Sequence, residues 1–155
     1  MTTTPATPAD RNLDAACTAV TGEIARTDSK ASLLLAFDGA TLAGLASIAD
    51  KDLPVFTQAV GGLAVLALAA AAVLLLLVVR PNLGNGGRTI REGLPYWARL
   101  EESELRQSMT EDTRAARVKA LSILAVRKFQ GLARAVDIIL TALALLALAA
   151  IGALA

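Results

Sequence analysis

The chain has 155 residues, 55% of them hydrophobic, 3% aromatic and 19% charged, with a net charge of +1. It lacks histidine and has a single cysteine, Cys17, which excludes an intrachain disulfide, a Cys/His zinc site and a hydrolase that works through histidine. The apolar residues are gathered in blocks, and three all-round apolar helices exceed what a chain of this length can bury, so a soluble domain fits poorly and a membrane protein fits well.

Residues 1–12, MTTTPATPADRN, lack the positive start and short apolar core of a secretory signal and are expected to form a disordered tail. In residues 13–30, Leu13, Ala16, Cys17, Val20 and Ile24 recur at helical spacing, which predicts a cytoplasmic amphipathic helix. It has no basic polar face, so it is expected to pack against other cytoplasmic helices and not to lie on lipid. Cys17 reads as a small buried residue of that stripe.

Residues 31–49 form the first apolar run and the first predicted span (TM1), with Asp38 near its middle. An ionised carboxylate at that depth is costly unless it finds water or a partner. Three readings stay open at the sequence level: a pore-lining or gating group, a hydrogen-bond donor between helices, or a residue of an off-centre span close to water. Ala36, Ala40 and Gly44, with Gly39 and Ala43 beside them, place small residues four apart, which permits close helix contact and suggests a homo-oligomer. Residues 50–58 are expected to be an external turn. Residues 59–79, AVGGLAVLALAAAAVLLLLVV, make the second span (TM2), long enough for a hydrocarbon core of roughly 30 Å, and end on Arg80 and Pro81.

Residues 80–135 form the predicted cytoplasmic helical segment. RPNLGNGGRT ends the second helix in a glycine-rich turn, and YWARLEESELRQSM reads as a charged helix. Thr110, Glu111 and Asp112 supply a predicted N-cap and acidic first turn for the next helix. From Asp112 there is no proline, so one helix is expected to run out of the cytoplasm directly into the third span (TM3), VDIILTALALLALAAIGALA at 136–155. Val118, Leu121, Ala125, Phe129 and Leu132 give its cytoplasmic part an apolar stripe. Arg134 and Asp137, three apart, are spaced to pair.

Between Arg80 and Arg134 fall eleven of the fifteen lysines and arginines. The positive-inside bias then places the N-terminus and the 80–135 segment in the cytoplasm, and the 50–58 turn and C-terminus outside, in a multi-pass membrane protein. The predicted fold class is thus an all-α membrane protein with three transmembrane helices and a helical cytoplasmic segment between the second and third.

ARTDSKASLLLAFDGATLAG at 25–44, the Arg80-Pro81 pair and LSILAVRKFQGLARAVDIILTALALL at 121–146 resemble the transmembrane effector family of the Pycsar antiphage systems. Asp28, Ser29, Lys30 and Ala31, and the group Arg127, Lys128 and Phe129, are the most specific parts of the resemblance, which extends from about residue 13. It implies an antiviral effector activated by a cyclic pyrimidine nucleotide, cUMP or cCMP, made by an adjacent pyrimidine nucleotide cyclase. The effector then impairs the inner membrane, and the cell dies or stops growing in an abortive infection. No catalytic constellation is legible, so an enzyme is not expected, nor a cofactor beyond the activating nucleotide, nor a metal or nucleic-acid partner. A membrane anchor for a cytosolic partner, and a nucleotide-independent holin-like or transport protein, are the alternatives.

A cyclic nucleotide offers one phosphate, which seeks arginine, lysine or clustered backbone amides, and a base, which seeks an apolar or aromatic face. Arg88 and Arg91 after the glycine turn, Arg99 and Arg106 on the next helix, and Tyr96 or Trp97 for stacking are the candidates. The 82–89 loop lacks a phosphate-loop lysine and threonine pattern and reads as a linker, and Tyr96 and Trp97 read equally as interfacial anchors. Asp28, Lys30 and Lys128, at the cytoplasmic mouths of the first and third spans, have two readings: an ion pair at the interface, or a ligand- or headgroup-reading site.

Overall fold

A computed structural model describes residues 7–48, 53–80, 94–110 and 112–154. These residues form five helices and the turns between them: α1 Pro8–Ala46, α2 Val55–Val79, α3 Leu94–Trp97, α4 Glu102–Ser108 and α5 Arg114–Leu154.

α1 starts earlier than the amphipathic stripe alone predicts, because Thr7, Pro8 and Asp10 make a helix start. The Thr7 N–H and hydroxyl donate to Asp10 Oδ2 at 2.9 and 2.7 Å, and the Asp10 N–H donates back to Thr7 Oγ1 at 3.2 Å. Proline at the first helical position has no N–H to leave unsatisfied. Residues 8–12, expected as tail, are therefore helical. The amphipathic segment and the 31–46 part of the first apolar run are likewise one helix, not two. No proline interrupts them, and the hydroxyls of Thr18, Thr21, Ser32 and Thr41 donate to carbonyls four residues back, so they do not compete for the ladder.

α2 gains a turn over its predicted start: Pro54 precedes Val55, and the Gln58 N–H donates to the Pro54 carbonyl. The charged helix expected from Tyr96 to Met109 is split. The N–H groups of Arg99 and Leu100 donate to the carbonyls of Tyr96 and Trp97 and close a turn, after which Glu101 starts α4 with its N–H bonded to Glu104 Oε2. The N-cap expected at Thr110 is not formed. Its hydroxyl donates to the Gln107 carbonyl at the end of α4, and α5 begins with the Arg114 N–H donating to Asp112 Oδ1. As the absence of proline predicts, α5 then runs unbroken to Leu154.

The chain divides into two compact units. In the first, Met1–Ala25 with Pro81–Arg127, the predicted stripe of Leu13, Ala16, Cys17, Val20 and Ile24 is half-buried, as are Val118 and Leu121, and Ala125 is buried. The second comprises Arg26–Arg80 and Lys128–Ala155. Its interior seam is built from small and medium side chains. On α2, Ala64, Leu68, Ala71, Leu75 and Val78 are buried at alternating spacings of four and three residues; on α5, Ala135, Ile139, Ala142 and Ala149 follow the same rhythm, and on α1 Ala31 and Asp38 lie seven apart. This is the spacing by which helices pack ridges into grooves at a shallow angle. Gly131 marks the tightest approach, since a Cβ there would stand 2.7 Å from Val78 Cγ2.

Among the described residues, α2 and α5 are the helices long and apolar enough to cross a membrane. The apolar part of α1 is diluted by Lys30 and Asp38 and does not match them.

Candidate functional site

Of the five residues singled out for ligand binding, Arg88 and Arg91 lie outside the described residues. The other three stand at one end of the second unit, where α1 and α5 run side by side. Lys128 Nζ donates to Asp28 Oδ1 at 2.5 Å, with the lysine side chain 13% and the aspartate side chain 34% exposed. Their neighbours in sequence behave differently: Lys30 and Arg127 are exposed, and Phe129 is 41% exposed. The pair is an interhelical tie at a place where two helices could otherwise slide.

The densest charge cluster among the described residues lies in the first unit and is not among the candidates read from the sequence. Arg114 donates from Nη2 to Asp10 Oδ1 at 2.5 Å and to Asp112 Oδ2 at 2.9 Å, and from Nη1 to Asp14 Oδ2 at 3.2 Å. Its Nε reaches Asp112 Oδ1 as well, and Nη1 the Asp10 carbonyl. The Asp112 carboxyl is held down to about 2 by the side-chain hydrogen bond from Arg114, and the Asp10 carboxyl is lowered chiefly by the Thr7 hydroxyl, with Arg114 adding to it. Asp10 and Asp14 are one helical turn apart on α1, and Asp112 and Arg114 are two residues apart; that the α1 pair shares Arg114 as a partner some hundred residues away is a tertiary fact. Cys17 Sγ lies 4.0 Å from the Arg114 carbonyl oxygen, half-buried as its stripe predicts.

The arginines proposed for phosphate divide in the same way. Arg106 is paired with Glu102 one turn before it, both exposed, whereas Arg99 is exposed beside half-buried Tyr96 and Trp97. Arg134 and Asp137 are both exposed and do not form the ion pair their spacing permits; the Asp137 carbonyl accepts instead from the Thr141 hydroxyl. Among the described residues no cluster of three or more metal-ligating side chains occurs.

Among the described residues of the second unit, Thr27, Asp38 and Thr57 are the further polar residues that are buried. Asp38 has no exposed surface, and neither of its carboxylate oxygens has a hydrogen-bond partner among the described residues. The Thr57 hydroxyl is in the same condition, on the wall of an apolar groove of about 460 Å³ lined by Leu45, Gly61, Val65, Leu146 and Ala149 among others. By contrast Ala36, Ala40, Gly44, Gly39 and Ala43 face outward, and a Cβ at Gly39 or Gly44 would meet nothing within 4 Å.

The helices of the described residues, two of them long and apolar enough to cross a membrane, accord with the transmembrane family that the sequence resembles. The model of the Pycsar effector protein domain matches residues 12–155. The chain belongs to the Pycsar effector family. The match takes in both units, including Asp28, Asp38, Arg114 and Lys128, and leaves out only the first residues, among them Thr7 and Asp10 of the α1 start. It makes this Pycsar effector an antiphage defence protein. No curated protein and no solved structure matches the chain.

Proposed function

We propose that this Pycsar effector is switched on by a cyclic pyrimidine nucleotide, cUMP or cCMP, made by a partner cyclase, and that it then makes the inner membrane leak. The membership of residues 12–155 in the family carries the reading. α2 and α5, long and apolar enough to cross a bilayer, support the membrane part of it. In this reading the 31–49 run crosses as well: buried packing against α2 and α5 compensates its lower apolarity, because an intramembrane carboxylate turned towards protein is far cheaper than one facing lipid. Three spans put the N-terminus and the 80–135 segment in the cytoplasm and residue 155 outside, in keeping with the distribution of arginine and lysine.

The first unit is where a nucleotide would act. Arg99 beside Tyr96 and Trp97 offers a phosphate-seeking charge next to aromatic faces; Arg88 and Arg91, which lie outside the described residues, are candidates from the sequence alone. Arg114 is not a phosphate ligand in this arrangement, since three carboxylates surround it already. α1 and α5 contribute residues to both units, so a ligand that shifts them in the first unit bears on the spans directly.

The test is dye release from liposomes containing the purified chain, with cUMP, cCMP and cyclic AMP added separately at equal concentration. Release triggered by one of the pyrimidine nucleotides and not by cyclic AMP is the expected result. Release without any nucleotide supports the holin-like alternative. No release with any of them supports the anchor.

A further inference from the structure

Within the unit formed by Arg26–Arg80 and Lys128–Ala155, Asp38 is the ionisable side chain among the described residues that the packing around it leaves unanswered. Asp38 is fully enclosed, and both of its oxygens lack partners among the described residues. Its level in the unit follows from its neighbours on α1. Ala31, two turns before it, packs with Ala71, Leu75 and Val78 of α2 and with Ala135 and Ile139 of α5; Leu45, two turns after it, lines a groove with Gly61 of α2 and Ala149 of α5. The register therefore sets Asp38 at mid-depth, level with the buried Ala64, Leu68 and Ala142.

An alanine or leucine at this position would continue the seam without penalty. A carboxylate there gives up its hydration and receives nothing in return, so the closed unit is held together in spite of Asp38, and any rearrangement that admits water to it is favoured by that amount. Its enclosure without a partner leaves the reading as a hydrogen-bond donor between helices without an acceptor among the described residues. Asp38 does not lie on the outward face with Ala36, Ala40 and Gly44.

We propose that Asp38 determines the ion selectivity of the leak: when the three helices part, it lines the water-filled path as an anion and passes small monovalent cations in preference to anions. A fixed negative charge in a narrow path with low-dielectric walls attracts cations and excludes anions without any further structure. The small side chains level with it, Ala64 and Ala142, give the path room as soon as the helices separate. The inference rests on the reading that the effector makes membranes leak.

The experiment is a current recording from the full chain in a planar bilayer under a potassium chloride gradient, with cUMP and cCMP each tried as the trigger. The wild-type reversal potential is expected to be displaced from zero towards that of potassium, reporting a several-fold preference for K⁺ over Cl⁻. D38N should move it to zero, and D38E, which keeps the charge, should restore it. In a second measurement, D38C in a C17S background should react with a charged methanethiosulfonate only after the trigger is added. An unchanged reversal potential in D38N, or a cysteine at 38 that stays unreactive while current flows, overturns the inference and leaves the leak intact. A wild-type chain that inserts and passes no current with either nucleotide overturns both.

Discussion

The guanidinium of Arg114 gathers three carboxylates, and the consequence is a definite dependence on pH. Asp112 sits at about 2 against an ordinary value of 3.8. A carboxylate lowered on folding stabilises the fold above its unfolded value, and that contribution disappears as pH falls through the folded one, here between about 4 and about 2. The protection of amides at the starts of α1 and α5, taken relative to the intrinsic exchange rate at each pH, should fall across this window in detergent-solubilised protein, and R114A should show low protection already at neutral pH and lose the dependence. The Asp28–Lys128 tie acts at the same scale but is partly screened, because the aspartate is a third exposed. D28N or K128M should therefore lower stability by about 1 kcal/mol. The double exchange D28K/K128D should recover most of the loss in thermal unfolding, an outcome that a ligand-reading role for either residue alone does not predict. Both clusters join residues about a hundred positions apart. A sequence displays the charges and their spacing along one helix; it does not display which distant helix answers them, which is why Asp28 and Lys128 were legible only as candidates and Arg114 not at all.

Helices begin and end here where short-range chemistry says so. Pro8 and Pro54 precede or open their helices, Arg80 closes α2 before Pro81, and α5 runs on because nothing interrupts it. The sequence reading went astray where two local rules competed. Thr110 is a good N-cap residue, yet its hydroxyl serves the end of α4, and the adjacent Asp112 starts α5 in its place. Packing between elements adds constraints that glycine alone reveals. At Gly131 an added methyl meets the short, stiff side chain of Val78 at 2.7 Å, whereas at Gly152 it meets the ring of Phe56, which is 55% exposed and free to swing aside. G131A should cost about 1–3 kcal/mol by overpacking, while G152A should be neutral or slightly stabilising, since alanine is the better helix former by up to about 1 kcal/mol. Thermal unfolding in one detergent, with both variants measured side by side, reads the difference.

For the whole molecule, the number of spans decides where the chain ends. Three crossings place a reporter fused after residue 155 on the opposite side of the membrane from one fused before residue 1, and two crossings place both on the same side. A pair of fusions to a protein active only in the periplasm, one at each end, should show activity at the C-terminal fusion alone. Equal behaviour of the two fusions would return α1 to the cytoplasmic side and leave α2 and α5 as a hairpin. The charge distribution favours the first result: the connection between the first two apolar runs has one lysine between two aspartates, against eleven basic residues in the later segment.

By itself the sequence determined the helical class, the position of the apolar blocks, the inward stripe of Leu13 to Ile24 and the unbroken course of α5, because each of these follows from spacing or from the presence or absence of proline. It also carried the family, through the residues around Asp28 and Arg127. Tertiary structure alone decided which faces of the apolar helices turn inward. Where every side chain is apolar, and lipid is as apolar as leucine, periodic hydrophobicity carries no direction; closeness of approach does. The buried seam accordingly alternates alanine with Leu68, Leu75, Val78 and Ile139, with Leu66, Val73, Leu76 and Leu140 left on the outside, and Asp38 is carried into the interior because it shares the face of Ala31. Its enclosure without a partner is a property of that packing, and no pattern in the chain announces it.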